Sequence, residues 1–175
     1  MLFQDTDSIE EFKKIQHNGK FFEVLDEMNN QGKAVRFLEK IDRRISHFVK
    51  HLEEKHHNDK RIKRFSKLKH RKIIEPELIK GTSSYTINKG EILAFCVRLK
   101  HNNTIFHDEE ILDFVIIHEL AHVISKSIGH TREWLSNFKF LLQSLAESNL
   151  YIPVDYSKKN DNYCGVKVTN NPYFN

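Results

Sequence analysis
One helical run constrains this chain more than any other stretch. Between Asp108 and Ser125, the residues Ile111, Leu112, Phe114, Val115, Ile116, Ile117, Leu120, Ala121, Val123 and Ile124 leave little polar surface. A helix apolar on nearly all sides lies inside a domain. His118, Glu119 and His122 sit within it, and an unpaired buried polar group costs on the order of 1 to 3 kcal/mol. These three residues must therefore have partners. Their order, His118-Glu119-Leu120-Ala121-His122, puts two imidazoles on one helix face, one turn above the other. Imidazoles so placed can share one zinc ion, and Glu119 can lean over the metal as general base toward a metal-activated water. Asp108, Glu109 and Glu110 mark the helix start, acidic where the macrodipole favours anions.

An open zinc site needs a third protein ligand. After His122, Gly129 can take the left-handed conformation that redirects a chain, and His130 then returns toward the metal. His118, His122 and His130 are the candidate ligands of one catalytic Zn2+, with Glu119 as catalytic base. Glu147 on the following helix is a rival third ligand. Glu133 either accepts a hydrogen bond from a ligand histidine or supports the start of the helix Thr131 to Ser148. That helix carries Trp134, Leu135, Phe138, Leu141, Leu142 and Leu145 at core spacing, with Trp134 beneath the metal loop. Tyr163 is a candidate oxyanion donor and Cys164 a candidate thiolate near the zinc; a tail strand packed on the domain accounts for both equally well.

Upstream, Ser8 followed by Glu11 is a capping-box pattern, and the spacing of Ile9, Phe12 and Ile15 predicts a helix ending at His17-Asn18-Gly19. A second short helix is expected from Lys20 to Met28. From Ala34 to Leu52 the apolar residues keep a helical period, and Ile62, Phe65 and Leu68 give a third amphipathic segment. Lys72 to Glu75 reads as a short strand. Tyr85-Thr86-Ile87 and Glu91 to Arg98 flank Asn88-Lys89-Gly90, which suits a hairpin turn, with Cys96 packing as a small apolar residue. Lys100 to His107 reads as a polar loop in which His101 and His107 are solvated, and Tyr163 to Val168 as a last short strand. The pattern divides the chain into an N-terminal helical region, 1–70, packed on a catalytic core with its tail, 71–175.

At 175 residues the chain can bury a core without cross-links. Apolar residues at 39% and charged residues at 30% exclude disordered and fibrous classes. Net charge is +4, and the segment from Lys60 to Lys72 concentrates it. There Arg61, Arg64 and Lys67 are candidate phosphate contacts to DNA, and a solvated outer helix face is the competing account. Cys96 and Cys164 cannot build a disulfide framework, which favours a reducing compartment. With no apolar run of roughly 18 residues, the chain reads as soluble and intracellular.

The run His118-Glu119-Leu120-Ala121-His122, then Gly129-His130 and Glu133-Trp134, resembles the WLM family of zinc metallopeptidases, relatives of SprT-like proteases. Tyr85 to Ile92, Asp155-Tyr156-Ser157-Lys158 and Tyr163-Cys164-Gly165 narrow the resemblance to the WLM-like proteins of large DNA viruses. It implies an α+β zincin-like fold with a small, twisted, antiparallel-rich sheet packed on the active-site helix. It also implies three histidine ligands, a glutamate base and protein substrates, among them proteins crosslinked to DNA. Two other classes stay open: a nucleic-acid-associated binding protein with a structural zinc, and a zinc hydrolase of a non-peptide substrate.

Overall fold
Asn18 and Gly19 both take positive φ, 48° and 78°, as a two-residue hairpin turn between twisted strands requires. The computed structural model, which describes residues 12–25, 30–77, 83–99 and 102–175, accordingly opens on an antiparallel hairpin of β1 (Phe12–His17) and β2 (Lys20–Leu25). The helices expected over Ser8 to Ile15 and Lys20 to Met28 are thus strands wherever they are described; residues 1–11 and 26–29 lie outside. The helical spacing of Phe12 and Ile15 lost to the Asn-Gly turn. Phe22 and Val24 are buried while Phe21 is exposed, the two-residue alternation of a half-buried strand.

α1 (Gln31–Lys55) buries Ala34, Val35, Leu38, Ile41, Ile45, Phe48 and Leu52 along one stripe, as the period predicts. It leads into a 3-10 helix, Ile62–His70, whose buried Ile62, Phe65 and Leu68 recur every third residue, matching that helix's own period. β3 (Lys72–Ile74), β4 (Tyr85–Ile87) and β5 (Ile92–Ala94) complete a five-stranded sheet of order β1-β2-β3-β5-β4. β2 runs parallel to β3 and β3 parallel to β5, while both outer pairs are antiparallel. The sheet therefore draws strands from both sides of residue 70, and the first seventy residues are helical only in part.

β6 (Arg98–Leu99) and β7 (Asn102–Phe106) form a separate antiparallel pair, so the polar loop expected over 100–107 contains a strand. His101 lies outside the described residues. His107 is buried rather than solvated: its Nε2 accepts the Cys164 N–H at 3.1 Å and its ring lies 4.7 Å from that of Tyr163. α2 (Glu109–Ile124) follows, buried at eleven of its sixteen residues. α3 (Arg132–Glu147) starts on Thr131, whose side chain accepts the Trp134 N–H. β8 (Asp161–Tyr163) and β9 (Val166–Val168) make a last hairpin, turning at Cys164 and Gly165. Cys164 is neither free nor a metal thiolate. It is bonded to Cys96 across 68 residues of sequence, and Cys96 is one end of that disulfide rather than a small apolar thiol.

The architecture is α+β, and four of the six strand pairings among the described residues are antiparallel. No described helix is long and apolar enough to cross a membrane. The turn before β5 locks the sheet to the helices: at Gly90, φ +117°, an added Cβ would stand 2.7 Å from Leu68 Cδ2. Gly90→Ala combines that clash with a backbone region L side chains avoid, so it is expected to destabilise by about 1 to 3 kcal/mol. Urea unfolding checks this; a midpoint equal to wild type would mean that the turn adapts freely.

Candidate metal centre
α2 presents His118 and His122 on one face, and the chain turns back after it through Gly129, which takes φ +82°. That reversal sets His130 opposite them. One ring nitrogen from each of the three histidines lies within 4.8 Å of the others, and His118 Nε2 faces His130 Nε2 at 3.1 Å. Two ring nitrogens this close need a proton or a cation between them. Trp134 floors the cluster, its ring 4.7, 5.2 and 4.3 Å from those of His118, His122 and His130. Among the described residues no other three His, Cys, Asp or Glu side chains converge in this way.

The electrostatics suit a cation. Burial first, and then the neighbouring imidazoles, push His118 down to about 3; burial, His130 and Lys89 push His122 down to about 4. Both rings are therefore neutral at pH 7, the form that ligates metal. Three imidazoles at this spacing fit the donor set of a zinc site that keeps a position open. Glu119 stands beside the cluster and is not part of it. Its Oε2 accepts the Thr86 hydroxyl at 2.7 Å, and burial, partly offset by that bond, raises its pKa to about 7.

Three residues of this arrangement had no signal in the motif. Thr86 lies in β4, the edge strand, and orients Glu119. Lys89 in the next turn donates to the carbonyls of His122, at 3.2 Å, and Ser127, at 2.5 Å, tying the end of α2 to the returning loop. Ser84 meets the Tyr163 hydroxyl at 2.5 Å. Only the hairpin pattern pointed toward them, since it set Tyr85 to Glu91 near the helix without saying which side chains face it.

Glu133 acts on the loop. Its two carboxylate oxygens accept the N–H groups of Lys126 and Ser127 at 2.9 Å each, bonds that push its pKa down to about 2. It thus braces the turn that carries His130 rather than bonding a ligand histidine. Glu147 is not near the cluster; it is a largely exposed partner of Lys55 on the far end of α3. Tyr163 is buried at the groove wall, and burial pushes its phenol up.

A groove of about 1010 Å³ passes over the cluster. Ser84 and Thr86 of the β4 side line one wall, α2 and α3 contribute Phe114, Val115 and Phe138, and Tyr163 and Val168 of the last hairpin close another side. The basic segment lies elsewhere, and much of it is occupied. Arg61 pairs with Asp59 at 2.7 Å, donates to Asn137 and covers the Phe140 ring. Arg64 donates to the Ile124 carbonyl at 2.5 Å, where the negative end of α2 favours a cation. Two of the three candidate phosphate contacts are therefore committed to the fold. Lys67 is exposed, as are Lys60, Lys63, Lys69 and Lys72.

No family model matches the chain. An uncharacterized protein of Acanthamoeba polyphaga mimivirus is 28% identical over 150 residues, covering 83% of this chain and 76% of that protein. One from Invertebrate iridescent virus 6 is 36% identical over 100 residues, covering 57% and 55%, and one from Invertebrate iridescent virus 3 is 33% identical over 90, covering 51% and 54%. The chain spans about half the length of the two iridescent virus proteins. Among solved structures, a mutant of Wss1 from Saccharomyces cerevisiae aligns with a TM-score of 0.52 at 17% identity, covering 73% of this chain and 92% of that one, and Wss1 itself aligns equally well, covering 72% and 88%. The chain accordingly shares the α+β fold of Wss1.

Proposed function
We propose that this chain is a zinc-dependent endopeptidase in which His118, His122 and His130 hold the metal and Glu119 is the general base. One observation carries the reading: a buried carboxylate stands next to three converging imidazoles, outside their cluster, at the floor of an open groove. A purely structural zinc site has no use for such a group. Bound there, zinc supplies Lewis acidity toward a substrate carbonyl and toward water. Glu119, oriented by Thr86, takes a proton from the attacking water and passes it to the leaving amine. Among the described residues no strand pairs with the outer edge of β4, and such an edge can pair with an extended backbone, the usual way a sheet edge holds a peptide. Tyr163 is a candidate donor to the developing oxyanion.

The resemblance to WLM metallopeptidases and the fold shared with Wss1 support a protein substrate. Proteins crosslinked to DNA are the substrate class we favour. Lys67 and its exposed neighbours, rather than Arg61 and Arg64, are the side chains free to meet phosphate. The test is to load the protein with zinc, strip it with a chelator and reload it, following casein or histone cleavage with and without DNA. One zinc per chain, with cleavage lost on stripping and restored on reloading, is the expected result. Full zinc occupancy without cleavage of any protein would return the chain to the structural-zinc reading.

A further inference from the structure
We propose that oxidation of Cys96 and Cys164 fixes the hairpin wall of the groove, so that the oxidised chain cleaves well and the reduced chain keeps its metal but cleaves poorly. This rests on the peptidase reading above. The β8–β9 hairpin shares no ladder with the main sheet among the described residues, yet Tyr163, Val166, Lys167 and Val168 line the groove. Bonds to the body of the domain converge on its tip. Besides the disulfide, Tyr163 meets Ser84 at 2.5 Å and the Cys164 N–H reaches His107 at 3.1 Å.

Ser84 is the junction. Its hydroxyl also accepts the Cys96 N–H at 3.3 Å, so one side chain touches both cysteine-bearing segments. Two residues further on, Thr86 holds Glu119. The disulfide therefore sets the spacing between the hairpin and the β4 wall. The three histidines come from α2 and the loop before α3, and the bonds that brace that loop come from Glu133 and Lys89. Metal capture should survive without the disulfide; the shape of the groove should not.

The chemistry is a thiol–disulfide exchange. The two thiols give up two protons and two electrons, the Cys96–Cys164 sulfur bond forms, and a small-molecule or protein disulfide is reduced to two thiols. Both cysteines are only 1% exposed. Oxidation must then precede or accompany closure of the hairpin, and reduction requires the hairpin to open.

The experiment compares three zinc-loaded samples: oxidised wild type, wild type reduced in denaturant and refolded with a thiol reductant, and the Cys96→Ser/Cys164→Ser variant. Zinc content, hydrogen exchange and casein cleavage are measured on each. Expected are one zinc per chain throughout, exchange at least tenfold faster across 161–168 in both reduced-type samples, and unchanged protection across 118–124. The value of kcat/KM should fall at least tenfold in both, and oxidised glutathione should restore it in the reduced wild type but not in the serine variant. Reduced wild type carries the test if the serine variant does not fold. Hairpin exchange unaffected by reduction overturns the proposal, as does undiminished cleavage by the reduced, folded chain. Zinc lost together with cleavage also overturns it, because the disulfide would then be holding the whole domain. If no sample cleaves any protein, the peptidase reading fails, and the exchange data alone decide whether the disulfide positions the hairpin.

Discussion
Glu119→Gln is expected to lower peptide cleavage by about 10²- to 10⁴-fold, the usual contribution of a positioned general base, while leaving one zinc per chain. Glutamine keeps the size of the side chain and can still accept the Thr86 hydroxyl, so the groove and the three-histidine cluster should persist. What it cannot do is take a proton. Equal cleavage by the two proteins would remove Glu119 from the chemistry. The same substitution has a signature in the metal-free protein. Burial raises the Glu119 carboxyl from 4.5 to about 7, so its contribution to stability is fully present below about 4.5 and is lost as pH rises through about 7. His118 and His122, held down at about 3 and 4, act in the opposite direction, losing stability as pH falls below their ordinary range. Subtracting the stability–pH curve of Glu119→Gln from that of wild type isolates the carboxyl. The difference should favour the wild type progressively less from pH 5 to 8, and a flat difference would contradict the burial of this group.

Glu75→Ala should be among the most damaging substitutions away from the site, costing about 3 to 5 kcal/mol. Arg98 Nε donates to Glu75 Oε1 at 2.5 Å with both side chains almost fully buried, and Glu75 Oε2 accepts the Leu25 N–H at 3.0 Å. One carboxylate thus joins β2, the end of β3 and β6. Removing it leaves a guanidinium charge inside the domain and a strand-end N–H without that acceptor. Against a total stability of about 5 to 15 kcal/mol for a domain, the variant should be close to unfolding at 37 °C. Replacing both partners, Glu75→Leu with Arg98→Met, removes the charges together and should recover much of the loss. Urea midpoints for the single and double variants test this. A single variant within about 1 kcal/mol of wild type would show that water reaches the pair.

By itself the sequence determined the buried helix and the three polar side chains it carries. A residue order that is apolar on nearly every side, with His118, Glu119 and His122 inside it, allows few arrangements, because buried polar groups need partners. Gly129-His130 was legible for a similar reason, since a glycine able to reverse the chain stood just before the next histidine. The period of α1 and the β4–β5 hairpin also came from local spacing. The β1–β2 hairpin was equally local, written in Asn18-Gly19, but a competing helical pattern hid it.

Tertiary structure decided everything that depends on residues far apart in the chain. No local pattern says that Cys96 meets Cys164 across 68 residues, that Thr86 reaches Glu119, or that Arg61 and Arg64 turn inward to Asn137 and Ile124 while the lysines beside them stay exposed. Pairing of this kind follows from how layers stack, and side-chain spacing along one element carries no record of it. The motif names the groups that can hold a metal and move a proton. The packing of β4 and the last hairpin around them sets the groove in which those groups can meet a substrate.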